Sequence, residues 1–295
     1  MAFNYTNDTF SFVIIVKQLD DYTYNKDTDV NQNELIQNYW EHGYVVLNTV
    51  FSHTECSNIK GLISRKKPVV FVPFSDIPFG IGNVIQDPDF NMVHKKSEIL
   101  NFCSEVLGSD FVFNHMLVNN KVPFIGSAFE WHREIFNVDT YAPGAILNKD
   151  SWKNFMQVYI AIDDHKVSNG CVCIIPRSHT VEDLPFEDMV NDRFGHKRRV
   201  PFTVMEELVQ QFGITFIEMN AGDVLLFNHK LVHGSSGNIS SENRKSIVLQ
   251  ARKPFKRDES VFNKESEYRT RFVVESLQKR IDKLKDKNPY MDFKK

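Results

Sequence analysis

From about residue 110 to 255 the chain is a succession of short apolar runs broken by turn residues, and that rhythm restricts its fold most. Residues 111–113, 156–162, 171–175, 215–219, 223–227 and 246–251 each have the length and the β-branched or aromatic content of a strand. Asn169-Gly170, Ala221-Gly222-Asp223 and Gly237-Asn238 punctuate them as turns. Strands this short, without long helices between them, argue against a βαβ sheet. They predict an all-β core with flanking helices, a double-stranded β-helix of jelly-roll, cupin-like form.

The flanks read differently. Over 33–42, Leu35, Ile36, Tyr39 and Trp40 fall on one helical face, Gly43 stops the helix, and 44–47 follows as a strand. A second helix is capped by Ser52 or Thr54, with Glu55 in its first turn. Residues 1–32 are a polar N-terminal extension around one apolar run at 10–16, able to contribute an edge strand. Charge and mixed helical signals over 178–213 mark an insertion between strands, able to overhang a barrel mouth. Val273, Leu277, Ile281 and Leu284 form the stripe of an amphipathic C-terminal helix over 265–287, docked outside the sheet. With the core over about 110–255, residues 1–295 read as a single domain.

Composition narrows the partners. With 35 basic against 38 acidic residues the formal charge is −3, which favours neither nucleic acid nor an anionic membrane. No stretch approaches the roughly 18 apolar residues that span a bilayer. The run at 10–16 lacks the basic flank and small-residue cleavage site of a signal peptide. Cys56, Cys103, Cys171 and Cys173 are too scattered for a disulfide scaffold, and Cys171 and Cys173 read as buried free thiols on one strand face. A cytoplasmic protein acting on a small molecule is expected, with its oligomeric state open. The 25 Phe residues suit a sheet-rich interior or an aromatic-lined pocket.

His132-Arg133-Glu134 and the later His233 are the candidate metal ligands. Two histidines and a carboxylate on one face, with open positions opposite, are what a non-haem iron(II) oxygenase needs. The pair alone is weak evidence, because ten His and 38 acidic residues produce about one such pair by chance. His53-Thr54-Glu55 is a second, and helix capping accounts for it. The weight comes from His233 at the end of a strand signal and Arg244 eleven residues later, before another strand. An arginine fork holds a carboxylate by two parallel bonds, as the far end of a dicarboxylate cosubstrate requires. Ser235 could add a further bond. His229-Lys230-Leu231-Val232-His233 has the histidine spacing of a zinc-protease helix but carries Lys230 where the general base belongs. Asp163-Asp164 reads as a turn after a strand before it reads as an acid pair.

The motifs in order carry a resemblance. Asn119-Asn120-Lys121, Phe129-Glu130-Trp131-His132, Asn169-Gly170, Pro176-Arg177-Ser178-His179, Ala221-Gly222-Asp223 and 233–238 up to Arg244 resemble the phytanoyl-CoA dioxygenase family of iron(II)/2-oxoglutarate oxygenases, nearest its ectoine hydroxylase branch. The similarity runs from about Asn33 to Arg252. It implies that His132, Glu134 and His233 ligate Fe(II), with 2-oxoglutarate and O₂ as cosubstrates. It further implies that Arg244 anchors the distal carboxylate with Ser235 and Asn119 nearby, and that His115, Lys121 and Trp131 line or support the pocket. The reaction implied is hydroxylation of a small polar metabolite, an amino acid or a derivative, with release of succinate and CO₂. A lipid, an acyl thioester or a carrier-bound substrate is the alternative, as is a jelly roll that holds metal without turnover. Two departures stand out. Glu134 replaces the family's usual Asp, and Ile135-Phe136-Asn137-Val138-Asp139 replaces the segment ending in Trp-His of ectoine hydroxylases. A substrate other than ectoine is expected.

Overall fold

The strand Phe155–Ala161 is buried at every position, so both its faces are covered and it lies deep in a layered structure. The computed structural model describes residues 23–25, 32–66, 70–71, 78–137, 151–188 and 198–254. They belong to one compact unit, Met1–Asn137 with Lys149–Pro254. A second unit, Val138–Asn148 with Phe255–Lys295, lies outside the described residues, as do the expected helix over 265–287 and the apolar run 10–16.

The strands of the first half are β1 Thr23–Asn25, β2 Tyr44–Asn48, β3 Val70–Phe71, β4 Pro78–Ile81, β5 Val112–Lys121, β6 Phe129–His132 and β7 Phe155–Ala161. Those of the second are β8 Val172–Ile174, β9 Glu187–Asp188, β10 Arg198–Arg199, β11 Thr215–Ile217, β12 Val224–Asn228, β13 His233–Ser235 and β14 Arg244–Arg252. The helices are α1 Gln32–His42, α2 His53–Arg65, α3 Asn91–His94, α4 Ser97–Leu107 and α5 Phe202–Phe212. A major sheet runs β1-β2-β12-β7-β14-β5-β4-β3 and a minor one β11-β8-β13-β6, with β9 and β10 as a separate hairpin. Apart from the parallel edge pair β1–β2, the ladders are antiparallel. This is the expected jelly roll, and β1 is the edge strand anticipated from the N-terminal extension.

Strand alternation sorts the side chains into three cores. Val45, Met156, Val158, Ile160, Val224, Leu226, Ile247 and Leu249 face outward and pack under α1, α2 and α4 through Tyr39, Ile59, Ile99 and Phe102. The intervening Tyr44, Val46, Tyr159, Leu225 and Phe227 face inward and meet Val172, Ile174 and Ile217 of the minor sheet. Ile175, Val232, Leu184, Val200, Met205 and Leu208 form a third core with Phe136. The described parts of the 178–213 insertion, α5 included, therefore pack beside the minor sheet's outward side chains.

Local signals were legible where capping chemistry fixes them. Ser52 caps α2 in a reciprocal box, accepting from Glu55 N at 3.2 Å while Glu55 Oε2 accepts from Ser52 N at 2.9 Å. His53-Thr54-Glu55 is thus a helix start, with His53 exposed. Gly222 takes φ +103°, and a Cβ there would stand 2.0 Å from the carbonyl oxygen of Phe51. Gly222→Ala should lower unfolding free energy by at least about 2 kcal/mol, measured by urea denaturation.

Candidate metal centre

In the minor sheet β13 pairs with β6, and the register sets His233 directly opposite His132. Both imidazoles are fixed the same way. Nδ1 of His132 lies 2.6 Å from the carbonyl oxygen of Glu130, and Nδ1 of His233 lies 3.0 Å from that of Leu231. A ring nitrogen facing a carbonyl carries the proton, so each Nε2 keeps its lone pair. The ring centroids are 4.2 Å apart. Burial, then the nearby His132, holds His233 below the ordinary imidazole range, which favours the neutral, ligating form. Glu134 follows β6 as the first residue of the 3₁₀ turn Glu134–Asn137. Its Oε1 is 3.8 Å from His132 Nε2 and 3.5 Å from His233 Nε2. One ligand atom from each of the three lies within 4.8 Å of the others, and all three residues are buried.

Arg133 points away from this cluster and does a separate job. Its Nη2 donates to the carbonyls of Ser178 at 2.6 Å and Val181 at 2.8 Å, and Nη1 to that of Glu182 at 3.4 Å. Ser178 also accepts from the Val232 amide through Oγ at 2.8 Å. One residue thereby ties together the neighbours of His132 and His233. Arg133→Met removes the guanidinium bonds to three carbonyls, leaving Ser178 and Glu182 their backbone donors and taking from Val181 the one that Nη2 supplies. It should cost about 3 kcal/mol of stability in urea unfolding while weakening metal binding.

The other end of the interior is basic. Arg244 opens β14, is buried, and pairs in register with Lys121 on β5. Its guanidinium carbon lies 5.9 Å from the centre of the Tyr159 ring, and its Nε and Nη1 are buried without a hydrogen-bond partner. Lys121 donates to Ser235 Oγ at 2.7 Å and to the carbonyl of Ser236. Burial, then the Arg244 charge, pushes its ammonium down to about 6. Asn119 faces the same interior, opposite Ser246 on β14.

His115 also faces inward on β5, and burial holds it below the usual imidazole range against the pull of Glu134. Trp131, expected to line or support the pocket, lies on the other side of the strand from His132. It alternates with His132 on β6 and packs in the outer cluster with Phe136 and Val200, against Gly234. Asp163 accepts from Lys245 N at 2.9 Å and pairs with Lys60 at 2.7 Å, a structural turn as expected. His229 lies in the β12–β13 turn, stacked on Phe155 at 5.2 Å. Gln157, Gln250 and Tyr159 join the interior without a functional signal of their own in the motifs. A lone glutamine inside the apolar run 155–161 was the available signal for the first.

A jelly roll with two histidines and a carboxylate converging from neighbouring strand ends has the donor set of a non-haem iron(II) oxygenase. The chain belongs to the phytanoyl-CoA dioxygenase family, whose model matches residues 39–246. It is a 2-oxoglutarate-dependent dioxygenase, a class that works with iron and O₂. It is 23% identical over 242 residues to a protein named ectoine dioxygenase from Bordetella bronchiseptica, covering 76% of each chain. It is 24% identical over 259 residues to a phytanoyl-CoA dioxygenase domain-containing protein 1 homolog of Caenorhabditis briggsae, covering 74% of this chain and 89% of that one. Among solved structures, EctD from S. alaskensis with 2-oxoglutarate and 5-hydroxyectoine superimposes with a TM-score of 0.60 at 19% identity, over 82% of this chain and 80% of that one.

Proposed function

We propose that His132, Glu134 and His233 hold iron(II), that Arg244 holds the distal carboxylate of 2-oxoglutarate, and that the enzyme hydroxylates an amino acid or a related small polar metabolite. The observation that carries this is Arg244, a buried guanidinium with two nitrogens lacking partners at the end of an interior that also holds the triad. A buried cation of this kind calls for an anion. Ser235 and Lys121 stand beside it, and Asn119 lies one inward step along β5. Iron with 2-oxoglutarate and O₂ supplies the oxidising power, releasing succinate and CO₂ as a C–H bond is hydroxylated. The chain's own part is to fix both imidazole tautomers through the Glu130 and Leu231 carbonyls, orient the dicarboxylate, and keep water out with Phe227 and Tyr159.

The small polar substrate follows from relatives named ectoine dioxygenases, and the different segment after Glu134 argues for another molecule of that size. Among the described residues no helix is long and apolar enough to cross a membrane, in keeping with a cytoplasmic role. The test is succinate release from 2-oxoglutarate by iron-loaded protein across a panel of amino acids, their amides and betaines. Release should be abolished in His132→Ala. Silence across the panel would overturn the substrate class.

Lys121 adds a pH signature. With its folded value near 6 against an ordinary lysine range near ~10.4, the unfolded chain binds more protons between those limits. Lys121 therefore makes ligand-free stability rise with pH across that window. The dicarboxylate beside Lys121 reverses the shift, so cosubstrate binding at pH 7.5 should take up protons. Calorimetry in buffers of different ionisation enthalpy reads that uptake directly.

A further inference from the structure

Strand β7 is covered on both faces, and Gln157 stands in its middle. Met156 and Val158 belong to the outward core, so alternation turns Gln157 into the jelly roll. There it is 5% exposed, and its Oε1 is buried without a hydrogen-bond partner. A buried carboxamide oxygen left in that state costs about 1–3 kcal/mol, which a leucine would avoid.

Register extends this single residue into a row. Gln157 lies opposite Gln250 on β14 and Phe227 on β12, and Gln250 lies opposite His115 on β5. Phe227 packs against the His233 ring with centroids 4.7 Å apart, so the row reaches the metal triad. Arg244 is six residues along β14 from Gln250, roughly 20 Å at the rise of a strand. The row and the cosubstrate anchor thus lie toward opposite ends of the same inner face. Asn114 Nδ2 donates to Gln250 Oε1 at 2.7 Å, which orients the second carboxamide. The row holds two carboxamides, a phenyl ring and an imidazole. Among the described residues of β5 and β14, Lys121 and Arg244 lie at the far end of the inner face, while Arg252 follows Gln250 at the next inward position of β14 and borders the row.

Two adjacent carboxamides offer both donors and acceptors and carry no charge. We propose that Gln157 and Gln250 form a substrate clamp that reads an uncharged amide-type group, a donor and an acceptor side by side, and that the substrate is an amide-bearing amino-acid derivative. This rests on the oxygenase reading above and sharpens its substrate class. A free carboxylate has no donor to offer the Gln157 oxygen, and a free ammonium finds no carboxylate at the described inward positions of β5 or β14.

The test uses matched pairs that differ only in the one amide: amino-acid amides and the corresponding free amino acids. Binding to iron- and 2-oxoglutarate-loaded protein is followed by thermal shift without oxygen, and turnover by succinate release. The amides should bind at least tenfold more tightly than their acids. Gln157→Met and Gln250→Met should each raise KM for the amide at least tenfold, with a smaller change in kcat, and reduce the preference below threefold. Equal or tighter binding of the acids, or a preference that persists in both variants, overturns the clamp. Should Gln157→Met fail to fold, the wild-type preference and Gln250→Met decide. Wild-type protein that consumes no 2-oxoglutarate at all overturns the oxygenase reading. Consumption without amide preference overturns only the clamp.

Discussion

Replacing Arg244 with methionine should raise the 2-oxoglutarate concentration for half-maximal turnover at least a hundredfold and raise the melting temperature of the ligand-free protein. Both effects have one origin. In the described structure the guanidinium is buried with Nε and Nη1 unpartnered, beside Lys121 rather than a carboxylate. Desolvating an unpaired charge is costly, and an apolar side chain of similar length removes that cost. The same charge, met by a carboxylate, forms a pair whose loss typically costs about 3–5 kcal/mol, or more than two decades in affinity. Arg244→Lys should recover little, because an ammonium cannot present the two parallel donors. Steady-state kinetics in 2-oxoglutarate and calorimetric melting check the two halves separately. An unchanged KM would remove Arg244 from the cosubstrate's site.

His233→Ala should abolish stoichiometric iron binding, and Glu134→Asp should weaken it at least tenfold. The first removes one of three donors whose ligand atoms lie within 4.8 Å of one another. The second tests the departure from the family pattern. Glu134 stands after the end of β6, at the start of a 3₁₀ turn, and its Oε1 lies 3.5 Å and 3.8 Å from the two Nε2 atoms. Aspartate would retract the carboxylate by about 1.5 Å, one carbon–carbon bond, from that backbone position. Aspartate should therefore hold the metal more weakly than glutamate from this position. Iron titration with metal analysis after desalting reads both variants. Equal affinity for Glu134→Asp would show that the turn yields to bring the shorter side chain in.

Much of the architecture was legible because it depends on local chemistry. The run 156–162 became β7 within a residue, 223–227 became β12, and Ser52 with Glu55 announced the start of α2. Strand β5 was read only at 111–113 and proves to run from Val112 to Lys121. Its inward positions hold His115, Asn119 and Lys121, so functional polarity masks the alternation that marks a strand. Strands β6 and β13 have four and three residues, too few for periodicity, although they carry both histidines. Helix α4 went unread even though Ile99, Phe102, Cys103 and Val106 share a helical face. Its apolar face sits under the major sheet's outward core.

The sequence by itself determined which chemistry was possible. Donor types, their order and the arginine after the last histidine are covalent facts that point to an iron and dicarboxylate site. Only the tertiary structure decided what faces what. The cross-strand register sets His132 opposite His233 and Gln157 opposite Gln250, and strand parity sends Trp131 out while His132 goes in. Those pairings join residues about a hundred positions apart. No local pattern encodes them, because hydrogen-bond register and the packing of two sheets are settled only when the whole core is buried.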